Sequence, residues 1–376
     1  MPHFGLYIHI PFCRAKCAYC DFYSLADRDD TDVRRLVLAL LAEGKLCRQK
    51  LTIPDAVDSW YIGGGTPSRL GSNLLTELAN GIAKLYPLAD GGEATLEVNP
   101  EDVTPELLET AQELGFTRLS LGVQSMRPQI LKKLGRRAGF LETVNALELI
   151  GRRWKADLSV DLIYGVDDRG KDGGLEGWLA DIAEVLAYKP QHISAYELTL
   201  EKDSALTGFK ADEETCRQMF LDGHRLLEGQ SFQHYEISNY ALAGHQCRHN
   251  HNYWLEGEYL GLGPSAVSYI AGERFGNPGN LDEYLALIKA GKPATTWREK
   301  LSAEKRAGEA LVLALRMAEG VMIEEFSQAH SFDLSALIAS DLVPYLERGL
   351  LSVKDGHLKL TLEGMLLSNE VFAAVV

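Results

Sequence analysis

The sequence predicts an α/β fold: a partial TIM barrel followed by a small C-terminal helical domain of winged-helix type. Two observations point there. Over residues 5–230, strand-like and helix-like stretches alternate about six times, the pattern of parallel strands joined by crossover helices. That alternation alone fits a doubly wound sheet as well as a barrel. The chemically distinctive residues, however, fall just after the strand-like stretches: three cysteines, a glycine run, Glu97, Gln124 and Asp161. A doubly wound sheet concentrates its ligand contacts at one switch point, whereas a barrel rims one site with many strand ends. The distribution favours a barrel over residues 1–235, an extension over 236–280 and a helix-and-hairpin domain over 281–376.

The first strand is the apolar run at 6–10, ended by Pro11. A polar break at 27–31 follows, with Asp30, Thr31 or Asp32 as candidate caps for a helix over about 32–50, where Val33, Leu36, Val37, Leu40 and Leu41 recur at helical spacing. Strands are expected at 57–62, 94–98, 118–123, 156–164 and 192–198, alternating with helices at 70–85, 104–114, 127–152, 175–187 and 211–229. Thr104 is placed to cap its helix. Residues 235–240 read as one further strand and 247–254 as an irregular stretch. Helical periodicity returns at 281–290, 302–318 and 333–348, and Asp355-Gly356 marks a terminal hairpin.

Composition is that of a globular protein, with 46% hydrophobic and 24% charged residues. No apolar run approaches the roughly 18 residues that span a bilayer, and residues 1–6 are too short and uncharged to read as a signal peptide. Together with six cysteines, three of them clustered, this predicts a reducing cytoplasmic compartment and a metal site. A net charge of −15 argues against a broad nucleic-acid surface, so nucleic acid is not expected as a partner.

Cys13, Cys17 and Cys20 follow the first strand with three and then two intervening residues. Three thiolates on one loop can hold three irons of a cubane cluster, leaving the fourth open, whereas most ferredoxin-like sites supply four cysteines. Zinc wants four ligands in a tetrahedron, and His9, on a strand four residues before Cys13, is poorly placed to complete one. A disulfide would leave one thiol over. Gly63-Gly64-Gly65-Thr66-Pro67 is a tight turn or a backbone cradle, but not a Walker loop. Glu97, Gln124 and Asp161 are polar groups at successive strand ends; a carboxylate in the apolar run around Asp161 needs a partner or ligand. The stretch from His249 to Trp254 pairs imidazoles with flat aromatic rings, which suits a polar loop or a haem contact.

The cysteine spacing resembles the signature of radical S-adenosylmethionine proteins. Its flanks, at 7–13 and 20–22, resemble the branch containing oxygen-independent coproporphyrinogen III dehydrogenase and the haem chaperones of HemW type. The resemblance continues through Gly-Gly-Gly-Thr-Pro at 63–67, Glu-Val-Asn-Pro at 97–100, Leu-Gly-Arg at 134–136 and Asp-Leu-Ile-Tyr-Gly at 161–165. It implies a radical SAM (β/α)6-like barrel in which Cys13, Cys17 and Cys20 ligate a [4Fe–4S] cluster. The open iron would chelate the methionine group of S-adenosylmethionine. Tyr7 and Tyr19 would line cofactor and cluster; Gly64, Gly65 and Thr66 would hold the methionine end; Glu97, Gln124, Arg136, Asp161 and Ala195 would surround the rest.

Within that branch, the dehydrogenase places a cysteine two residues after the third ligand, where this chain has Phe22, and carries an N-terminal extension, whereas this chain begins close to its first strand. Cys-Arg-His-Asn-x-x-Tyr-Trp at 247–254 matches the motif linked with haem in the chaperones, which implies haem as a third cofactor and His249 as its ligand. Arg137-Ala138 and Val166-Asp167 depart from the relatives' usual residues. The expected partners are an electron donor and a haem-acceptor protein, such as a membrane-bound respiratory protein, through which the chain would sit peripherally at the membrane.

Overall fold

The computed structural model describes residues 3–26, 29–167, 174–200 and 206–375. Its frame is one 12-stranded sheet. Six strands form in chain order: β1 (Phe4–Ile10), β2 (Val57–Gly64), β3 (Leu88–Val98), β4 (Arg118–Gln124), β5 (Asp157–Tyr164) and β6 (His192–Glu197). Each pairs in parallel with the next. After β6 come β7 (Gln233–Glu236), β8 (Asn239–Ala241), β9 (Glu258–Leu262), β10 (Val267–Ile270), β11 (Glu273–Gly276) and β12 (Trp297–Glu299). β9 adds in parallel to the free side of β1, while β8 closes the other side antiparallel to β6. The sheet runs in open order from β12 to β7, a partial barrel widened at both edges.

The strand sequences explain which side packs. On β1, Leu6, Ile8 and Ile10 are fully buried in the apolar layer between sheet and helices. Gly5, Tyr7 and His9 face inward, as period-two alternation requires. The crossover helices α1 (Asp30–Lys50), α2 (Gly71–Leu85), α3 (Pro105–Glu113), α4 (Pro128–Lys133), α5 (Phe140–Arg153), α6 (Gly174–Leu186) and α7 (Glu213–Glu228) cover the outside. Thr104 does cap α3, accepting from Leu107 N–H. The cap of α1 is Asp29, one residue before the candidates, accepting from Asp32 N–H; Asp27 lies outside the described residues.

Two local expectations change. Residues 235–240 form not one strand but the facing ends of β7 and β8, joined by a two-residue turn. The stretch expected to be irregular is the helix α8 (Arg248–Trp254). Its first N–H groups are satisfied by Glu93 on β3, which accepts from Arg248 N and His249 N, each at 3.1 Å. A cap supplied 155 residues away leaves no local signal. Beyond the sheet, α9 (Leu281–Lys289) packs on α1, and helices from α10 (Ala303–Leu315) onward pack around a second, three-stranded sheet that contains the expected hairpin.

Candidate functional site

Pro11 ends β1, and the following loop doubles back: Cys13 N–H donates to Leu25 O at 3.0 Å and Leu25 N–H to Pro11 O at 2.6 Å. Phe12 is buried beneath it as an anchor. Ala18 N–H donates to Leu134 O at 3.1 Å, tying the loop to the turn after α4. All six cysteines are free thiols, and Cys13, Cys17 and Cys20 face one cavity of about 480 Å³. Among the described residues no group of three or more His, Cys, Asp or Glu is gathered around a single-ion position.

The glycine run is where the cysteine loop crosses β2. Gly65 N–H donates to Ile10 O at 2.8 Å, and a Cβ on Gly65 would stand 2.8–2.9 Å from backbone atoms of Ile10, Pro11 and Phe12. Gly64 has φ +111 and lies against the His9 ring. Backbone crossing backbone is what these positions require.

A chain of donors then links two of the thiols. Thr66 Oγ1 donates to Cys13 Sγ at 3.5 Å, and Asn99 Nδ2 donates to Thr66 Oγ1 at 2.8 Å. Arg136 donates through Nη2 to Asn99 Oδ1 at 2.9 Å and approaches Cys17 Sγ through Nη1 at 3.8 Å. Burial pushes the Cys13 and Cys20 thiols up; cationic iron would oppose that, because a coordinated thiol is deprotonated. Glu101 Oε2 and Arg136 Nε, on the segments around this cavity, are buried without a partner. Orphaned polar atoms of this kind call for a missing group, and donors aimed at sulfur suit a thiolate-bound cluster.

Deeper in the same cavity, Glu97 Oε2 accepts from Gly64 N–H at 3.0 Å. Burial raises its carboxyl to about 7, the negative charge of Asp161 adding to the rise and bonds from Tyr61 and Gly64 opposing it. Asp161 accepts from Ser120 Oγ at 3.1 Å and is likewise raised by burial. Gln124 has φ +68, rare outside glycine. The next residues hold it there: Ser125 Oγ and Met126 N–H donate to the buried Asp181 at 2.7 and 3.0 Å.

The cavity therefore gathers Cys13, Cys17, Cys20, Tyr19, Gly64, Gly65, Thr66, Glu97, Gln124, Arg136 and Asp161. Three expected residues lie elsewhere. The Ala195 side chain is buried in the apolar layer, across β6 from Ser194, which bonds Asp161. Tyr7 lines a second cavity of about 510 Å³, walled also by Tyr23, Tyr253, Trp254, Tyr259 and Tyr269. Asp21 and Phe22 belong to both cavities. Within the second, His9 Nε2 meets the carbonyl of Tyr23 at 2.8 Å, so that nitrogen carries the proton; Nδ1 then accepts from the Tyr7 hydroxyl at 2.9 Å.

His249 is 1% exposed. Nδ1 bonds Ser59 Oγ at 2.7 Å, Nε2 bonds the Tyr253 hydroxyl at 2.9 Å, and the ring stacks on Tyr61. Burial lowers its pKa to about 4, so it is neutral at neutral pH. Tyr253 stands between its Nε2 and the second cavity. The residues that the motifs did not single out are Tyr61, Asn99, Ser120 and Tyr196. Period two was their signal, since Asn99 shares a strand face with Glu97, and Tyr196 with Ser194.

Known proteins resemble this chain along its whole length. A profile of the Radical SAM superfamily matches residues 7–172, and one of the HemN C-terminal domain matches 301–367. The protein of Mycobacterium tuberculosis called heme chaperone HemW is 32% identical, covering 98% of this chain and 93% of its own. The Bacillus subtilis protein of that name is also 32% identical over 98% of both chains. The chain belongs to the HemW branch of the radical SAM superfamily. The Escherichia coli HemW is 36% identical over 71% of this chain and 70% of its own. Coproporphyrinogen III oxidase (HemN) from Escherichia coli, described as a radical SAM enzyme, superposes with a TM-score of 0.86 at 19% identity, over 100% of this chain and 90% of that one. At that identity the likeness shows the shared fold, a radical SAM partial barrel with a helical C-terminal domain. Among the described residues no helix is long and apolar enough to cross a membrane.

Proposed function

We propose that this protein is a haem chaperone, which binds a [4Fe–4S] cluster, S-adenosylmethionine and haem and passes haem to an acceptor protein. The observation that carries the reading is the pairing of two cavities across Asp21 and Phe22. One presents three thiols and donors aimed at sulfur. The other presents flat aromatic walls, two of them from the Tyr253-Trp254 end of α8.

Cys13, Cys17 and Cys20 hold the cluster, whose open iron takes the amino and carboxylate groups of S-adenosylmethionine. Gly64, Gly65 and Thr66 receive the methionine end. Tyr19, Glu97, Gln124, Arg136, Asp161 and the backbone at Ala195 surround the remainder, with Tyr7 at the boundary of the second cavity. Haem packs against that cavity's aromatic wall. His249 ligates its iron through Nε2 once the Tyr253 hydroxyl swings away; a neutral imidazole is the form that binds metal. The setting is cytoplasmic, with an electron donor for the cluster and a haem acceptor, such as a membrane respiratory protein, as partners.

Phe22, at the position where the resemblance places the dehydrogenase's extra cysteine, favours carrier over porphyrin decarboxylase. The deciding experiment is a haem titration of the reconstituted protein. A Soret band is expected to saturate near one haem per chain and to weaken in His249→Ala. No band at stoichiometric haem sinks the chaperone reading. Conversion of coproporphyrinogen III to protoporphyrinogen IX would establish the enzyme instead.

A further inference from the structure

The large sheet changes character along one register row near its edge. Tyr259 on β9 pairs with Tyr269 on β10, Tyr269 with Arg274 on β11, and Arg274 with Glu299 on β12. Residues paired across strands share a face, so the row runs from two aromatic rings to a guanidinium and then a carboxylate. The first three of these residues line the second cavity. Tyr253 on α8 meets Tyr259 edge-on with ring centroids 4.6 Å apart, and Tyr269 follows at 6.3 Å. One side of the cavity is therefore a flat aromatic wall that ends at a cation.

Two carboxylates hold Arg274. Its Nη2 lies 2.6 Å from Glu309 and its Nη1 3.6 Å from Glu299. Glu309 comes from α10 and also lines the cavity. Glu256, another acid of that cavity, pairs with His330 at 3.3 Å. The side chains of Arg274 and Glu309 are 28% and 27% exposed. An ion pair with this much access to water is weak, so its acid can be exchanged for a carboxylate that arrives on an apolar body. Arg306, one turn before Glu309 on α10, is exposed and forms no ion pair among the described residues. Its Nη1 would stand 3.5 Å from a Cβ on Gly272, in the turn between β10 and β11. That brings a second cation to the hairpin that carries Arg274.

We propose that Arg274 receives a carboxylate of haem in place of Glu309, and so selects which edge of the macrocycle enters the second cavity. The proposal rests on the reading of that cavity as the haem site and adds the residue that recognises the ligand's acidic edge. An apolar disc with ionised carboxylates along one edge matches a row of tyrosines ending at a guanidinium. Rings pack on rings, and the planar fork donates two parallel bonds to a carboxylate. Arg306 serves the second carboxylate from the solvent side. The exchange leaves the charge on Arg274 answered throughout, since one carboxylate replaces another and the part-exposed Glu309 turns to water.

The test compares two ligands that differ only at that edge. The full chain is titrated with ferric haem and with its dimethyl ester in the same detergent, and affinity is read from the Soret band. The parent should prefer haem by about tenfold. Arg274→Gln should weaken haem binding by about tenfold and leave the ester's unchanged, which removes the preference while showing that the pocket is intact. Glu309→Gln removes the competing acid and should tighten haem by about threefold without affecting the ester. Arg306→Gln should weaken haem by about threefold. A parent that binds both ligands equally, or an Arg274→Gln chain that keeps the parent's preference, overturns the proposal and leaves the haem site standing. Where Arg274→Gln binds neither ligand, Glu309→Gln decides, and haem affinity no tighter than the parent's overturns the proposal. No Soret band with either ligand in the parent defeats the haem reading itself, and the proposal with it.

Discussion

Two polar layers fill the interior of this barrel, and they are built from the same residue types. The upper layer, at the C-terminal strand ends, holds Glu97, Asp161, Ser120, Arg136 and Tyr61. The lower layer holds Glu93, Arg118, Ser59, Ser159, His192 and His249. In the lower one nearly every group is answered from within. Glu93 takes Arg118 at 3.2 Å and two N–H groups of α8; His192 is fixed by Ser159 at 2.7 Å and the Tyr235 hydroxyl at 2.8 Å. Two Arg118 nitrogens are the exception. The upper layer opens into a cavity, sets the charge of Asp161 close enough to raise the Glu97 carboxyl further, and has unpartnered atoms around it. Residue type does not separate a site from a scaffold; unanswered hydrogen-bonding capacity beside open volume does.

The sharpest break of this comparison is Cys17→Ala. Anaerobic reconstitution of the parent should give about four irons per chain, and the variant should lose most of them without unfolding; an unchanged iron content would remove the ligand assignment. The lower layer should answer in stability instead. Glu93→Ala removes one of the two carboxylates paired with Arg118 and the acceptor at the start of α8, and should cost about 1–3 kcal/mol in denaturant unfolding. A loss under about 1 kcal/mol would mean that water enters the floor of the barrel.

Tyr253→Phe probes the border between the layers. It removes the hydroxyl on His249 Nε2, worth about 1 kcal/mol, so haem should bind roughly fivefold tighter while the melting temperature drops slightly. Equal or weaker binding would show that the hydroxyl is not the gate. Glu97→Gln shows mainly in its pH dependence. A buried carboxyl raised from its usual 4.5 to about 7 binds its proton more tightly folded than unfolded, so its contribution to stability declines as pH climbs through that window. Relative to the parent, the glutamine variant should gain stability between pH 4.5 and 7, by at most about 3 kcal/mol and less where cavity water screens the charge. A flat difference would mean the carboxylate is already solvated.

The strand and helix alternation was legible because each element carries its own periodicity, and the cysteines because their spacing is local. Asn99, the central link between two thiols, stands in the sequence only as one residue of the Glu-Val-Asn-Pro stretch. Its role depends on Thr66 and Arg136, which are 33 and 37 residues distant. The helix α8 was illegible for the same reason, its capping carboxylate being on β3. His249 was conspicuous in sequence as a haem contact, yet its surroundings are a serine, two tyrosines and almost no solvent. What a linear motif hides is whether its side chains are already occupied.

Asp21 and Phe22 wall both cavities, and Phe22 is 65% exposed. If S-adenosylmethionine and haem occupy the two cavities, these two residues are their common wall. If S-adenosylmethionine seats the ring in one position, haem meets a reshaped wall, and the factor by which the first alters affinity for the second must equal the reverse factor. Measuring all four dissociation constants closes that square. A coupling within the usual span of about 1–3 kcal/mol would make cofactor supply a thermodynamic dial on haem retention. A coupling of zero would mean that Phe22 stays fixed whatever lies on either side.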